Sequence, residues 1–222
     1  MKEDIVILHR LNNSAVKKRY WAEPSDDFDR GEDGYYNVRN AAWQFLIDNK
    51  VEFLPLDMFD LLSRCGCMSI DFTTAKPLFQ HIIGSEYFDG SVDCFVIFDG
   101  EKKVVVYNET LPQSRLNYSL AHEIGHVVLK HNESRAFRYD AEADMFASRI
   151  LMPAAVLKAC RVSSAEEISA LCDVSLAAAE RRWERLKLLN DRGKFLTSEA
   201  EQKVLAQFAD FIRDYLQHNK KK

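Results

Sequence analysis

The sequence is poor in the residues that mark special architectures. Eight Gly and five Pro among 222 residues exclude a collagen-like or low-complexity chain. Five Cys is an odd number in a long chain, which argues against a disulfide framework and for free thiols in a reducing cytoplasm. No uninterrupted apolar run approaches the ~20 residues of a membrane span. The run Ile5–Leu8 is too short for the core of a signal peptide. Positive charge is not in excess: 30 Lys and Arg face 34 Asp and Glu, for a net charge of −4. Such a chain has no general attraction for nucleic acid or an anionic membrane. No internal repeat is present. What remains is an ordinary globular balance, 47% hydrophobic and 29% charged, in a chain long enough to bury a core without staples.

Three regions are expected: an extension over 1–34, a core over 35–157 and a helical region over 158–222. Asp4–Leu8 reads as a short strand and Glu23–Gly34 as an exposed acidic loop. Val38, Ala41, Ala42, Phe45 and Leu46 recur at helical spacing, predicting a helix over Val38–Asn49. Pro55 suits a first helical turn leading to Leu61 and Leu62, with Gly66 as its end and a strand over Cys67–Phe72. Val92–Phe98 and Lys103–Tyr107 flank Asp99–Gly100 and read as a hairpin. Ser114 is expected to cap a helix reaching about His131, and a second helix covers Ala136–Met152, ending before Pro153. Capping boxes at Ser163/Ser164 with Glu166/Glu167, and at Ser198 with Glu201, open further helices. Ser175 caps another. Helices, a hairpin and then helices make the fold class α+β rather than alternating βα.

The chemistry lies in His122-Glu123-Ile124-Gly125-His126, an H-E-x-x-H pattern on an expected helix. A helix turns about 100° per residue, so residues four apart differ by only ~40°. His122 and His126 therefore share a face and can share one ion, while Glu123 stands beside them as a base for a metal-activated water. Leu120, Ala121, Ile124, Val127 and Val128 form the opposite, core-facing side. Random placement of six His and sixteen Glu would give about 0.01 such matches in a chain of this length. A catalytic zinc site has three protein ligands and an open position. His131 lies ~140° from His126 on a continued helix and cannot join it there. The metzincin pattern is excluded, because Leu129 and Asn132 stand where Gly and His are required. The next helix carries Asp140, Glu142 and Asp144, and small Ala141, Ala143 and Ala147 allow it to approach closely. Geometry prefers Glu142 only weakly over Asp140.

His122–Leu129, Glu142-Ala143-Asp144 with Phe146-Ala147, and Leu151-Met152-Pro153 together resemble the ImmA/IrrE family of zinc metallopeptidases. The resemblance covers roughly Tyr35–Ala155 and extends more weakly to about Leu189. It implies zinc held by His122, His126 and Glu142, with Glu123 as general base and Asp144 orienting a ligand His. It implies that Val104–Tyr107 is an edge strand aligning an extended peptide by strand addition. Members of that family are often encoded in mobile elements and cut, or antagonise, a helix-turn-helix repressor. The expected partner is thus a repressor or antitoxin protein in the cytoplasm, with neither nucleic acid nor membrane. Tyr139 and His131 are candidate oxyanion donors.

Other features have plainer readings. Cys65-Gly66-Cys67 lacks a second pair at metal spacing, and Cys94 reads as a core thiol, with a role as third ligand the lesser alternative. Ile168–Trp183 is similar to a helix-turn-helix followed by Arg181, Arg182, Arg185 and Lys187, but Glu180 and Glu184 interrupt the positive charge. The final helix over Ser198–His218 has an aromatic stripe suited to core packing, or alternatively to a coiled dimer. Two rival functions follow: a non-proteolytic module that sequesters a repressor or antitoxin, and a DNA-binding regulator. Manganese is an alternative to zinc, since two His and a carboxylate accept several divalent ions.

Overall fold

The computed structural model describes residues 6–9, 34–99, 101–131, 137–195 and 198–219. The acidic stretch before Gly34 lies outside the described residues. In chain order the elements are β1 (Val6–His9), α1 (Gly34–Asp48), α2 (Met58–Arg64), β2 (Cys67–Asp71), α3 (Phe72–Ile83), β3 (Cys94–Asp99) and β4 (Lys102–Tyr107). They continue with α4 (Gln113–Val128), α5 (Phe137–Leu151), α6 (Ala154–Ala159), α7 (Ala165–Cys172), α8 (Leu176–Asp191), α9 (Glu199–Gln207) and α10 (Ala209–Asn219). The fold is α+β, as expected.

The four strands form one mixed sheet in the order β1-β3-β4-β2. β3 pairs antiparallel with β1 and β4, while β2 runs parallel to β4. Side chains alternate across a strand, and β3 divides accordingly. Phe95 and Ile97 join a small core with Phe72, Ala75, Phe88, Val92 and Val106, roofed by α3. Cys94 and Val96 face the main core, which also holds Leu46, Leu120, Ile124, Phe146, Ile150 and Leu157. That cluster runs without interruption from Val38 to Phe208.

Several local expectations are corrected. Pro55 follows a cis peptide bond and precedes α2, whose cap is Asp57; its carboxylate accepts from the N–H groups of Phe59 and Asp60. Ser114 does not cap α4: Pro112 occupies that position, and its apolar ring offers no acceptor for the first N–H groups of the helix. α3 was not legible because Pro77 lies inside it, and α6 because its six residues are too few to show a period. The helix expected over Ser198–His218 is two helices meeting at Phe208, whose buried ring ends α9. The Ser164, Ser175 and Ser198 caps all form.

One correction bears on function. β4 is not an edge strand, because β2 covers the side that β3 leaves open. Its backbone groups are committed on both sides, so a peptide cannot add there. The reason was invisible locally: β2 and β4 are separated by α3 and β3 in sequence, and only the crossover makes them neighbours.

Candidate metal centre

Helix α4 is anchored before it reaches the site. Arg115 donates twice to the Asp93 carboxylate, at 2.7 and 2.6 Å, and ties the helix to the start of β3. Asn117 donates to Asp173, fastening the same helix to the α7–α8 junction. Leu120, Ala121 and Ile124 are fully buried and face the core. The contacts between α4 and α5 pair 118 with 144, 125 with 143 and 126 with 140, so the two helices run antiparallel.

Gly125 sets how close they come. A Cβ there would sit 3.0 Å from the Ala143 Cα and 3.2 Å from its carbonyl oxygen. The glycine of the motif and the central Ala of Glu142-Ala143-Asp144 are thus one packing contact, and it draws the acidic residues of α5 under the His pair.

His122, Glu123 and His126 are all buried, at 0%, 1% and 1% exposure. The two Nε2 atoms face each other at 3.0 Å. His122 Nδ1 lies 2.9 Å from Asp144 Oδ1. A carboxylate only accepts, so the ring proton belongs on Nδ1 and the Nε2 lone pair points into the site. Asp140 Oδ1 lies 3.5 Å from His126 Nε2, and its side chain is half exposed. Asp140 and Asp144 are four residues apart and share one face of α5. Glu142 is rotated ~200° from either. The structure therefore brings Asp140 beside the pair, while the Glu142 carboxylate lies 3.1 Å from His131 Nε2. Among the described residues, His122, His126 and Asp140 form the group whose ligand atoms could hold one ion.

His131 enters in a way helix geometry did not foresee. α4 ends at Val128; Lys130 takes a left-handed φ of 58°, and the His131 N–H donates to the His126 carbonyl at 2.9 Å. This is a Schellman turn, and it folds His131 back so that its Nδ1 is 3.1 Å from His126 Nδ1. Tyr139 stacks on the His131 ring at 4.3 Å. Burial lowers the His126 pKa from 6.5 to about 4, against an opposing pull from Asp140. Burial lowers that of His131 too, with Glu142 opposing. Both rings are neutral near pH 7, the state in which imidazole binds metal.

The donor set fits a divalent ion. The two facing Nε2 atoms, about 3 Å apart, stand at the separation of two ligands each ~2.0 Å from one metal. A carboxylate completes three protein ligands, and its exposed side leaves room for water or substrate.

The remaining sequence candidates lie elsewhere. Cys94 is buried beneath the site helix; burial raises its thiol pKa well above normal and the Glu123 charge adds to that, the opposite of an ionised ligand thiolate. In the helix-turn-helix-like unit, Arg182 is buried and its Nε donates to the Met152 carbonyl. One member of the arginine cluster therefore serves packing.

With this geometry in view, residues 82–184 match the family model described as the IrrE N-terminal-like domain of M78 peptidases. This agrees with the ImmA/IrrE resemblance: the matched stretch is similar to a metallopeptidase domain. The match takes in the hairpin, both site helices, α6, α7 and most of α8; β1, α1, α2 and β2 lie outside it. None of the curated proteins matches the chain. Among the described residues, no helix is long and apolar enough to cross a membrane.

Proposed function

We propose that this chain is a zinc-dependent endopeptidase that cleaves a regulatory protein in the cytoplasm, a helix-turn-helix repressor or antitoxin. The observation that carries the reading is Glu123, fully buried one step along the helix from two facing imidazoles. A structural metal site needs no such carboxylate. His122 and His126 would hold the ion through Nε2, with Asp140 as third ligand; the resemblance implies Glu142 in that place. A bound divalent ion would acidify a water and polarise a peptide carbonyl. The Glu123 carboxylate would take the proton from the attacking water and pass it to the leaving amine. Asp144 would hold the His122 ring in place. The repressor class of substrate is carried over from the family resemblance.

Glu123→Gln tests this reading, since it keeps the shape and removes the base. The variant should fold, retain one metal per chain and bind its partner, while cleavage of a helix-turn-helix protein encoded beside it falls by about 10²–10⁴-fold. If Glu123→Gln relieves repression as well as the wild type does, sequestration replaces proteolysis.

A further inference from the structure

His131 and Glu142 have no part in the ligand group, yet both are buried against it. We propose that Glu142, His131 and His126 form a positioning relay, in which Glu142 acts on the metal site through His131. The inference rests on the proposed metal site.

The order of donors follows from what each group can do. The Glu142 carboxylate accepts, so the proton between it and His131 sits on His131 Nε2, 3.1 Å away. A neutral His131 then has a bare Nδ1, which must accept from His126 Nδ1–H at 3.1 Å. That leaves His126 with an unprotonated Nε2, aimed at His122 Nε2. The carboxylate at one end of the chain thereby selects the tautomer at the other. His122 reaches the same state directly through Asp144. The two ligands are thus held by different devices, one carboxylate in contact and one acting through an interposed imidazole.

The interposed ring is itself held. The Schellman turn at Lys130 fixes its backbone, and the Tyr139 ring stacks on its face at 4.3 Å and 16°. A rotation of His131 would release His126 to turn or to carry its proton on Nε2. Partners of this kind typically alter metal affinity by about 10–100-fold.

The test uses the full chain, stripped of metal and titrated with Zn²⁺ and with Co²⁺ against a chelator. His131→Phe keeps a ring for Tyr139 but removes both hydrogen bonds; affinity should fall by about 10–100-fold. His131→Gln keeps an acceptor and a donor on one planar group and should recover most of the loss. Glu142→Ala should weaken binding similarly while the Co²⁺ ligand-field bands stay in place, because no ligand has left. Far-UV circular dichroism of each metal-free variant checks the fold. If His131→Phe does not fold, ¹⁵N-histidine spectra of the zinc-loaded wild type must show His126 protonated at Nδ1. Wild-type affinity in His131→Phe overturns the relay, and so does His126 protonated at Nε2. A Co²⁺ spectrum altered by Glu142→Ala overturns it as well, since it makes Glu142 a ligand. A wild-type chain that takes up no metal overturns the proposed function, and the relay with it.

Discussion

The helix pairs α4–α5 and α7–α8 are built to different ends. In α4–α5 the backbones meet at Gly125 and Ala143, and the space this opens between side chains is filled with imidazoles and carboxylates. In α7–α8 the contact is apolar: Ala165, Ile168, Cys172, Val174, Ala178, Ala179 and Leu186 are all buried. Its turn is an ordinary left-handed cap at Asp173, φ 49°. Both pairs carry a motif in sequence, yet only one buries polar groups in quantity. Burying such groups costs free energy unless they are paired, and at α4–α5 they are paired with one another. The α7–α8 pair instead braces that site, with Asp173 accepting from Asn117 of α4 and Arg182 donating behind Met152.

Four perturbations separate the two regions. The largest effect should come from His122→Ala, which is expected to reduce bound metal from about one per chain to background in elemental analysis. Arg181→Ala with Arg185→Ala should leave it unchanged; equal loss in both would mean that the site assignment is wrong. Asp140→Ala belongs to the same measurement and should strip the metal, whereas Glu142→Ala should only weaken it.

Gly125→Val is next. The added carbons meet the Ala143 backbone rather than a flexible side chain, so the helices must separate. Overpacking of this kind costs about 1–3 kcal/mol, and metal affinity should fall with stability in urea titrations. An unchanged affinity would show that the close approach does not set the site.

Arg182→Met leaves the Met152 carbonyl without the donor that Nε supplies. A buried hydrogen bond lost in this way costs about 1–2 kcal/mol. The thermal midpoint should drop by several degrees while metal content stays at the wild-type value, confining the damage to the bracing pair.

The smallest effect concerns pH. Burial raises Cys160 and Cys172 from 9.0 to about 12, with the charge of Arg182 working against the shift at Cys172. The folded chain therefore keeps thiol protons that the unfolded chain releases above about pH 9. Stability should be undiminished below that value and decline as pH rises from 9 toward 12. Urea midpoints at pH 8 and 10.5 measure the slope, and Cys160→Ala with Cys172→Ala should reduce it, leaving the part that the Cys94, Cys65 and Cys67 thiols, also raised by burial, contribute. An unaltered slope would place the alkaline sensitivity elsewhere.

Much of the architecture could be read without coordinates, and the reasons are local. The β3–β4 hairpin, α1, α4, α5 and the serine caps of α7, α8 and α9 depend on neighbours within a few residues. The His122–His126 pair depends only on the 3.6-residue turn. Readings failed where one segment's environment is supplied by another. Pro77 within α3 masked a helix whose Phe72 and Ala75 are buried against the sheet. That Asp140 rather than Glu142 lies beside the His pair follows from the antiparallel register of α5 beneath α4, which no single segment shows.

The sequence by itself determined the α+β class, the helical pairing of His122 and His126 with Glu123 beside them, and the family resemblance, because each rests on spacing along one short stretch. The tertiary structure decided the rest: which carboxylate faces the pair, that β2 closes the outer side of β4, and that His131 returns to His126. These depend on a Gly–Ala contact between two helices, a parallel strand brought in by a crossover, and a left-handed residue after a helix end. Each joins groups whose positions no single segment's periodicity encodes.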